Sequence, residues 1–156
     1  MRRSRLATGG RVRPRVLVDS GAWIALVSAN DRHHAEAEAL FKVAVRQHAL
    51  LVTTNLVIAE TYRFLLHKAG RHAAQAVLKR MDASPLLEIE FATAVHHAAG
   101  RAWIDKLADQ ALTYTDAVSF AVMHARRCTA ALTFDRHFAI AGFARWQPNP
   151  PARQTQ

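Results

Sequence analysis

Four of the chain's 12 acids, Asp19, Glu60, Asp116 and Asp135, are embedded in apolar sequence, while the other eight lie in polar neighbourhoods. A carboxylate taken out of water costs several kcal/mol unless it is paired, hydrogen-bonded or bound to a metal, so each of the four needs a reason. Asp19 follows the apolar run at 16–18 and precedes a short helical segment. It therefore belongs at the carboxyl edge of a sheet, where open α/β folds place ligands, with helix capping as the alternative. Asp135 repeats the pattern after Leu132, Thr133 and Phe134, and a turn residue is its plainer reading. Asp116 opens a helix whose positive end favours an anion, which is often a purely structural arrangement. Leu56 and Phe64 place Glu60 on an apolar stripe of its helix, and an i, i+3 pair with Arg63 is the competing account.

Two strand ends and two helices of one sheet can bring all four acids to a single cleft. Like charges within a few Å cannot all stay ionised without compensation, and no Lys or Arg stands within two positions of Asp19 or Glu60. A divalent cation would compensate them. All-oxygen ligation suits Mg²⁺ or Mn²⁺ better than zinc, and the chemistry most accessible to such a centre is hydrolysis of a phosphodiester.

The elements that must position these groups alternate short apolar runs with longer helical periods, the pattern of an α/β domain with a mostly parallel sheet. Strands are expected at 16–18, 50–53, 86–89 and 130–134, with a shorter one at 143–146. Helices are expected at 22–26, 33–47, 56–68, 71–81 beyond Gly70, 91–107 and 115–127, with Ser20 and Asn55 as N-caps. Trp23, Trp103 and Trp146 read as core or interface aromatics rather than base-stacking platforms. The histidines read as surface residues, and His137, two after Asp135, reads as a packed loop residue more readily than as a cleft residue.

At 156 residues and 51% apolar content the chain has the size of one globular domain, and Cys128 is its only cysteine, so no internal disulfide or CxxC pair exists. That cysteine usage fits a reducing cytoplasm. No run approaches the roughly 18 apolar residues of a membrane span. The net charge is +9, but six arginines lie within residues 1–15, so between residues 16 and 146 there are 14 basic against 12 acidic residues. The expected organisation is therefore a basic flexible arm at 1–15, a folded domain at 16–146 and a Pro-rich disordered tail at 147–156. The arm reads equally as an RNA-binding aid or a solubilising tail. Arg63, Lys68, Arg71, Lys79 and Arg80 form the densest basic stretch of the body and are expected to contact RNA phosphates, although a solvated helix face is the usual meaning of such a run. No GxxxxGK[ST], GxGxxG or GxSxG motif is present, which removes support for ATPase, dehydrogenase and serine-hydrolase readings.

The segments VLVDSGAWIAL, TTNLVIAETYRFL, LTYTDAVSFAVM and ALTFDRHFAIAGF, in that order, resemble those of PIN-domain ribonucleases, in particular the stand-alone VapC-like toxins of bacterial toxin-antitoxin modules. The resemblance spans about residues 16–146. It implies a PIN-like α/β three-layer sandwich with a central parallel sheet, and RNA cleavage at an acidic site holding one or two Mg²⁺ or Mn²⁺ ions. On that resemblance Asp19, Glu60 and Asp116 are metal ligands, and Asp135 is a fourth acid acting through water or on a second ion. Ser20 and Thr115 match hydroxyl positions beside the acids. The resemblance also implies a cognate antitoxin, a homodimer and a cytoplasmic toxin that inhibits translation and growth until neutralised. The Arg-rich start is a departure from the family pattern. Two other readings stand beside it: a nuclease of the same fold in ordinary RNA processing, and a Mg²⁺-binding phosphotransfer or signalling module. The latter lacks its early acidic pair and strand-end lysine here.

Overall fold

The computed structural model describes residues 12–147. Most of the expected basic arm and nearly all of the Pro-rich tail therefore lie outside the described residues. Five parallel strands form one sheet in the order β3-β2-β1-β4-β5: β1 (Arg15–Val18), β2 (Leu50–Thr54), β3 (Leu87–Glu90), β4 (Ala130–Leu132) and β5 (Ala144–Arg145). The connecting helices are α1 (Ser20–Val27), α2 (His34–Arg46), α3 (Asn55–Asp82), α4 (Ala94–Lys106), α5 (Tyr114–Arg126) and α6 (Arg136–Ile140). No described helix is long and apolar enough to cross a membrane.

The alternation of strand side chains builds two cores, one on each face. Val16, Val18, Leu51, Ala130 and Leu132 face one layer, where they meet Trp23 and Leu26 of α1, Leu40 and Phe41 of α2, and Val57, Leu65 and Val77 of α3. Leu17, Val52 and Ala131 face the other, where Val118, Phe120, Val122 and Met123 of α5 pack with Phe138 of α6. This is the parallel α/β sheet expected from the alternating pattern, in the three-layer sandwich that the resemblance implies. Trp23 and Trp146 belong to the first core, and Trp103 packs edge-on against Phe120 beside the second.

Several local expectations need correction. Thr54, not Asn55, caps α3 by accepting from Val57 N, and the Asn55 side chain instead accepts from Ala92 N at 2.8 Å, tying α3 to the chain after β3. Asp19, not Ser20, caps α1. The division of this run into two helices at Gly70 is as expected: the chain from 55 to 82 bends sharply there, where φ is 82° and ψ 175°, a conformation that suits a residue without Cβ. The strand expected at 130–134 ends at Leu132, because Thr133 turns out of the ladder to serve the acids. The strand expected at 143–146 is only Ala144–Arg145, and the five-residue α6 carried too short a period to be read.

Candidate active site

All four acids stand at the carboxyl edge of the sheet or on helices that begin there. Asp19 directly follows β1, and the backbone N–H of Asp19 donates to the carbonyl of Leu132 at 3.1 Å, locking it beside the end of β4. Its carboxylate is buried. Oδ1 accepts from Ser20 N at 2.8 Å and Oδ2 accepts from Thr133 Oγ1 at 3.0 Å. The same Thr133 oxygen accepts from Asp135 N at 3.0 Å, so one hydroxyl fixes two of the acids.

Asp116 is buried on the first turn of α5 in a capping box. Its N–H donates to Thr113 Oγ1 at 3.1 Å, and its Oδ2 accepts from Thr113 Oγ1 at 2.7 Å and Thr113 N at 3.3 Å. The hydroxyl that holds Asp116 is therefore Thr113 and not Thr115, for which no side-chain hydrogen bond occurs among the described residues. Position 113 precedes the helix, where an N-cap hydroxyl reaches back over the first turn; position 115 is already inside it.

Glu60 departs from the expected setting. The buried stripe of α3 runs through Val57, Thr61 and Leu65, whereas Glu60 is exposed and Phe64 is 44% exposed. Leu56 packs against the second core, while Glu60 and Phe64 line an open cavity together with Arg63, His67, Lys68 and Thr113. No Glu60–Arg63 ion pair forms among the described residues. Ser20 Oγ donates to Glu60 Oε1 at 2.9 Å, joining Glu60 to the residue beside Asp19. Capping and site roles thus coexist: the Asp19 carboxylate accepts from Ser20 N while the Ser20 hydroxyl serves Glu60.

The electrostatics record this convergence. Burial, then the charge of Asp116 and more distantly that of Glu60, pushes the Asp19 carboxyl up to about 7, against the opposing hydrogen bonds from Ser20 and Thr133. Burial, with added repulsion from Asp135 and Glu60, also raises Asp116, although Thr113 opposes it. A surplus of buried negative charge is what a bound cation relieves.

Asp116, Asp135 and His137 each present a ligand atom, all within 4.8 Å of one another. His137 belongs to this cleft rather than to a packed loop. Its backbone N–H donates to Asp135 Oδ1 at 2.8 Å, and its buried ring Nδ1 lies 2.9 Å from the same oxygen without a hydrogen bond of acceptable geometry. Two carboxylates and one imidazole are grouped in this way, with the Asp19 carboxylate tied to Asp135 through Thr133, and such oxygen and nitrogen donors fit a divalent cation. The signal for His137 was its i+2 offset from an acid at a strand end; Thr133 and Thr113 carried none beyond their position beside acids.

The predicted basic stretch does not form one surface. Arg63 and Lys68 share the Glu60 cavity, while Arg80, beyond the bend at Gly70, lines a separate groove of about 480 Å³ with Trp23, Phe41 and Arg46. Arg71 and Lys79 are exposed and line neither cavity.

Comparison with known proteins places these features in context. Residues 16–144 match the PIN domain model. The chain is 30% identical over 133 residues to the 23S rRNA-specific endonuclease VapC20 of Mycobacterium tuberculosis, in each of two strains, a match covering 85% of this chain and 98% of the relative. The crystal structure of M. tuberculosis VapC20, described as a Sarcin-Ricin loop cleaving toxin, superposes with a TM-score of 0.75 at 29% identity. That match covers 83% of this chain and 96% of the other.

Proposed function

This chain belongs to the PIN-domain family, and from that membership we propose that it is a divalent-metal-dependent endoribonuclease, the toxin of a toxin-antitoxin pair. The observation that carries the reading is the gathering of acids at one sheet edge, with Thr133 bridging Asp19 to Asp135, Ser20 joining Glu60 to the residue beside Asp19, and Asp116 within 4.8 Å of Asp135, in a chain similar along nearly its whole length to an rRNA endonuclease. The RNA to test first is the Sarcin-Ricin loop of 23S rRNA, because the relative is named for it. The antitoxin, a homodimer and a cytoplasmic site of action are part of the same reading.

Asp19, Asp116 and Asp135 are the residues we assign to hold Mg²⁺ or Mn²⁺, with His137 beside them and Glu60 completing the charge. A divalent cation held there supplies Lewis-acid stabilisation of phosphoryl charge and makes water a stronger acid. Thr133 and Thr113 fix the carboxylates in place before any substrate arrives, so that no reorganisation is spent during the reaction. Glu60, held by Ser20 yet open to the cavity, is placed to accept a proton from attacking water. Arg63 and Lys68 on the same cavity offer positive charge to the RNA backbone. The test is cleavage of a Sarcin-Ricin-loop RNA with Mg²⁺, Mn²⁺ or EDTA; metal-independent cleavage would overturn the reading.

A further inference from the structure

We propose that the opposite edge of the sheet, where β1, β2 and β4 begin, is a second RNA-phosphate site formed by Arg13, Arg15 and Arg127. This rests on the ribonuclease reading above and extends it to a surface that the acids do not touch. A cavity of about 670 Å³ opens there, lined by Val12, Arg13, Pro14, Arg15, Leu50, Arg127 and Thr129, without a single carboxylate among them. Glu88 and Glu90, two acids on the neighbouring β3, are both engaged by Arg126. Among the described residues, Arg13, Arg15 and Arg127 form no ion pair.

The backbone holds these cations in place. Arg13 Nε donates to the carbonyl of His48 at 2.8 Å, and Arg15 Nη1 donates to the carbonyl of Arg126 at 3.0 Å, leaving other guanidinium N–H groups for an anion. Arg127 and His48 are the two non-glycine residues with positive φ among those described, at 54° and 52°. Both end helices on this edge. Arg127 N donates to His124 O and Cys128 N to Met123 O, the paired bonds of a helix end that normally recruits glycine. A cationic side chain stands where relaxed backbone geometry prefers none.

A strand of four residues spans about 13 Å, so the edge lies within reach of the same RNA whose scissile phosphate sits at the acids. Its role is to anchor flanking phosphates, with no sequence reading of its own.

The test uses the full chain and a labelled Sarcin-Ricin-loop hairpin with single-stranded flanks, held in EDTA, with binding followed by anisotropy across salt. In Arg13→Gln/Arg127→Gly the salt slope is expected to fall by about 1.4, so that the affinity lost between about 50 and about 200 mM salt shrinks roughly sevenfold. With Mn²⁺ in place of EDTA, cleavage of a hairpin trimmed of its flanks is expected to stay unchanged. Arg127→Gly alone removes the charge and relaxes the backbone, so it is expected to melt no lower than the native chain while binding more weakly. Arg127→Lys is expected to restore the slope. An unchanged slope in the double variant overturns the site, as does a lowered melting temperature of Arg127→Gly with RNA affinity intact, which would make Arg127 a helix cap only. Loss of self-association with RNA binding retained would overturn it in favour of a protein contact. Absence of RNA binding by the native chain would instead overturn the ribonuclease reading on which the site rests.

Discussion

Thr133 Oγ1 donates to Asp19 Oδ2 at 3.0 Å from a position 114 residues away in sequence, and this bond joins the ends of β1 and β4 into one acidic edge. The same oxygen accepts from Asp135 N. The hydroxyl is buried, so nothing else can replace it without a cost.

Replacing Thr133 with valine keeps the shape and removes the bridge. The Asp19 carboxylate then lacks a buried donor, a loss of about 1–3 kcal/mol of stability. Metal affinity is expected to fall about 10–100-fold, since supporting partners of ligands carry effects of that size. Calorimetric titration with Mn²⁺ measures the second effect and thermal melting the first.

Ser20→Ala frees Glu60 from the hydrogen bond that Ser20 donates while leaving the backbone donor to Asp19 intact. The expected outcome is unchanged Mn²⁺ stoichiometry with cleavage slowed by about tenfold. A loss of metal binding as large as that from Thr133→Val would place Glu60 among the main ligands.

The raised Asp19 carboxyl sets a pH dependence whose sign is opposite to that of a salt-bridged acid. The folded chain holds this proton more tightly than the unfolded chain, so stability falls as pH rises from 3.8 to about 7 and is then level. Compared with Asp19→Asn, the metal-free native protein is expected to lose melting temperature across that window. Mg²⁺ or Mn²⁺ at about 100 times its Kd is expected to return about 2.7 kcal/mol above the window, with a smaller effect below it.

Gly100 sits where α4 crosses α5, and a Cβ there would meet Val118 Cγ2 at 3.2 Å and the backbone of Ala117 and Val118 at 3.4 Å. Gly100→Ala therefore pushes α4 against the helix that carries Asp116. A loss of about 1–3 kcal/mol is expected, and each kcal/mol corresponds to about 2–4 °C in melting temperature for a chain of this size.

The parallel sheet and its layers were legible because buried strands read as short apolar runs between helical periods, and Asp19 and Asp135 were legible because they end such runs. Glu60 was legible as a site residue for the wrong reason: Leu56 and Phe64 flank it with apolar groups, yet Phe64 faces the open cavity, and helical period alone cannot separate a core stripe from a cleft stripe. Thr113 and Thr133 were hidden because a hydroxyl's partner is set by tertiary geometry, and threonine is common at helix starts and strand ends without any such partner. The split of the basic stretch at Gly70 was foreshadowed by the glycine, but its direction was not.

The central claim is that the converging carboxylates hold a divalent cation that cleaves RNA. Its most direct test is the cleavage of a Sarcin-Ricin-loop RNA by the native chain and by Asp116→Asn, each with Mn²⁺ and with EDTA. The variant keeps an oxygen for the Thr113 donors and removes one ligand charge. Cleavage is expected with Mn²⁺ and not with EDTA, and in Mn²⁺ Asp116→Asn is expected to be slower than the native chain by at least about 100-fold. Cleavage in EDTA, or by Asp116→Asn at the native rate, would contradict it.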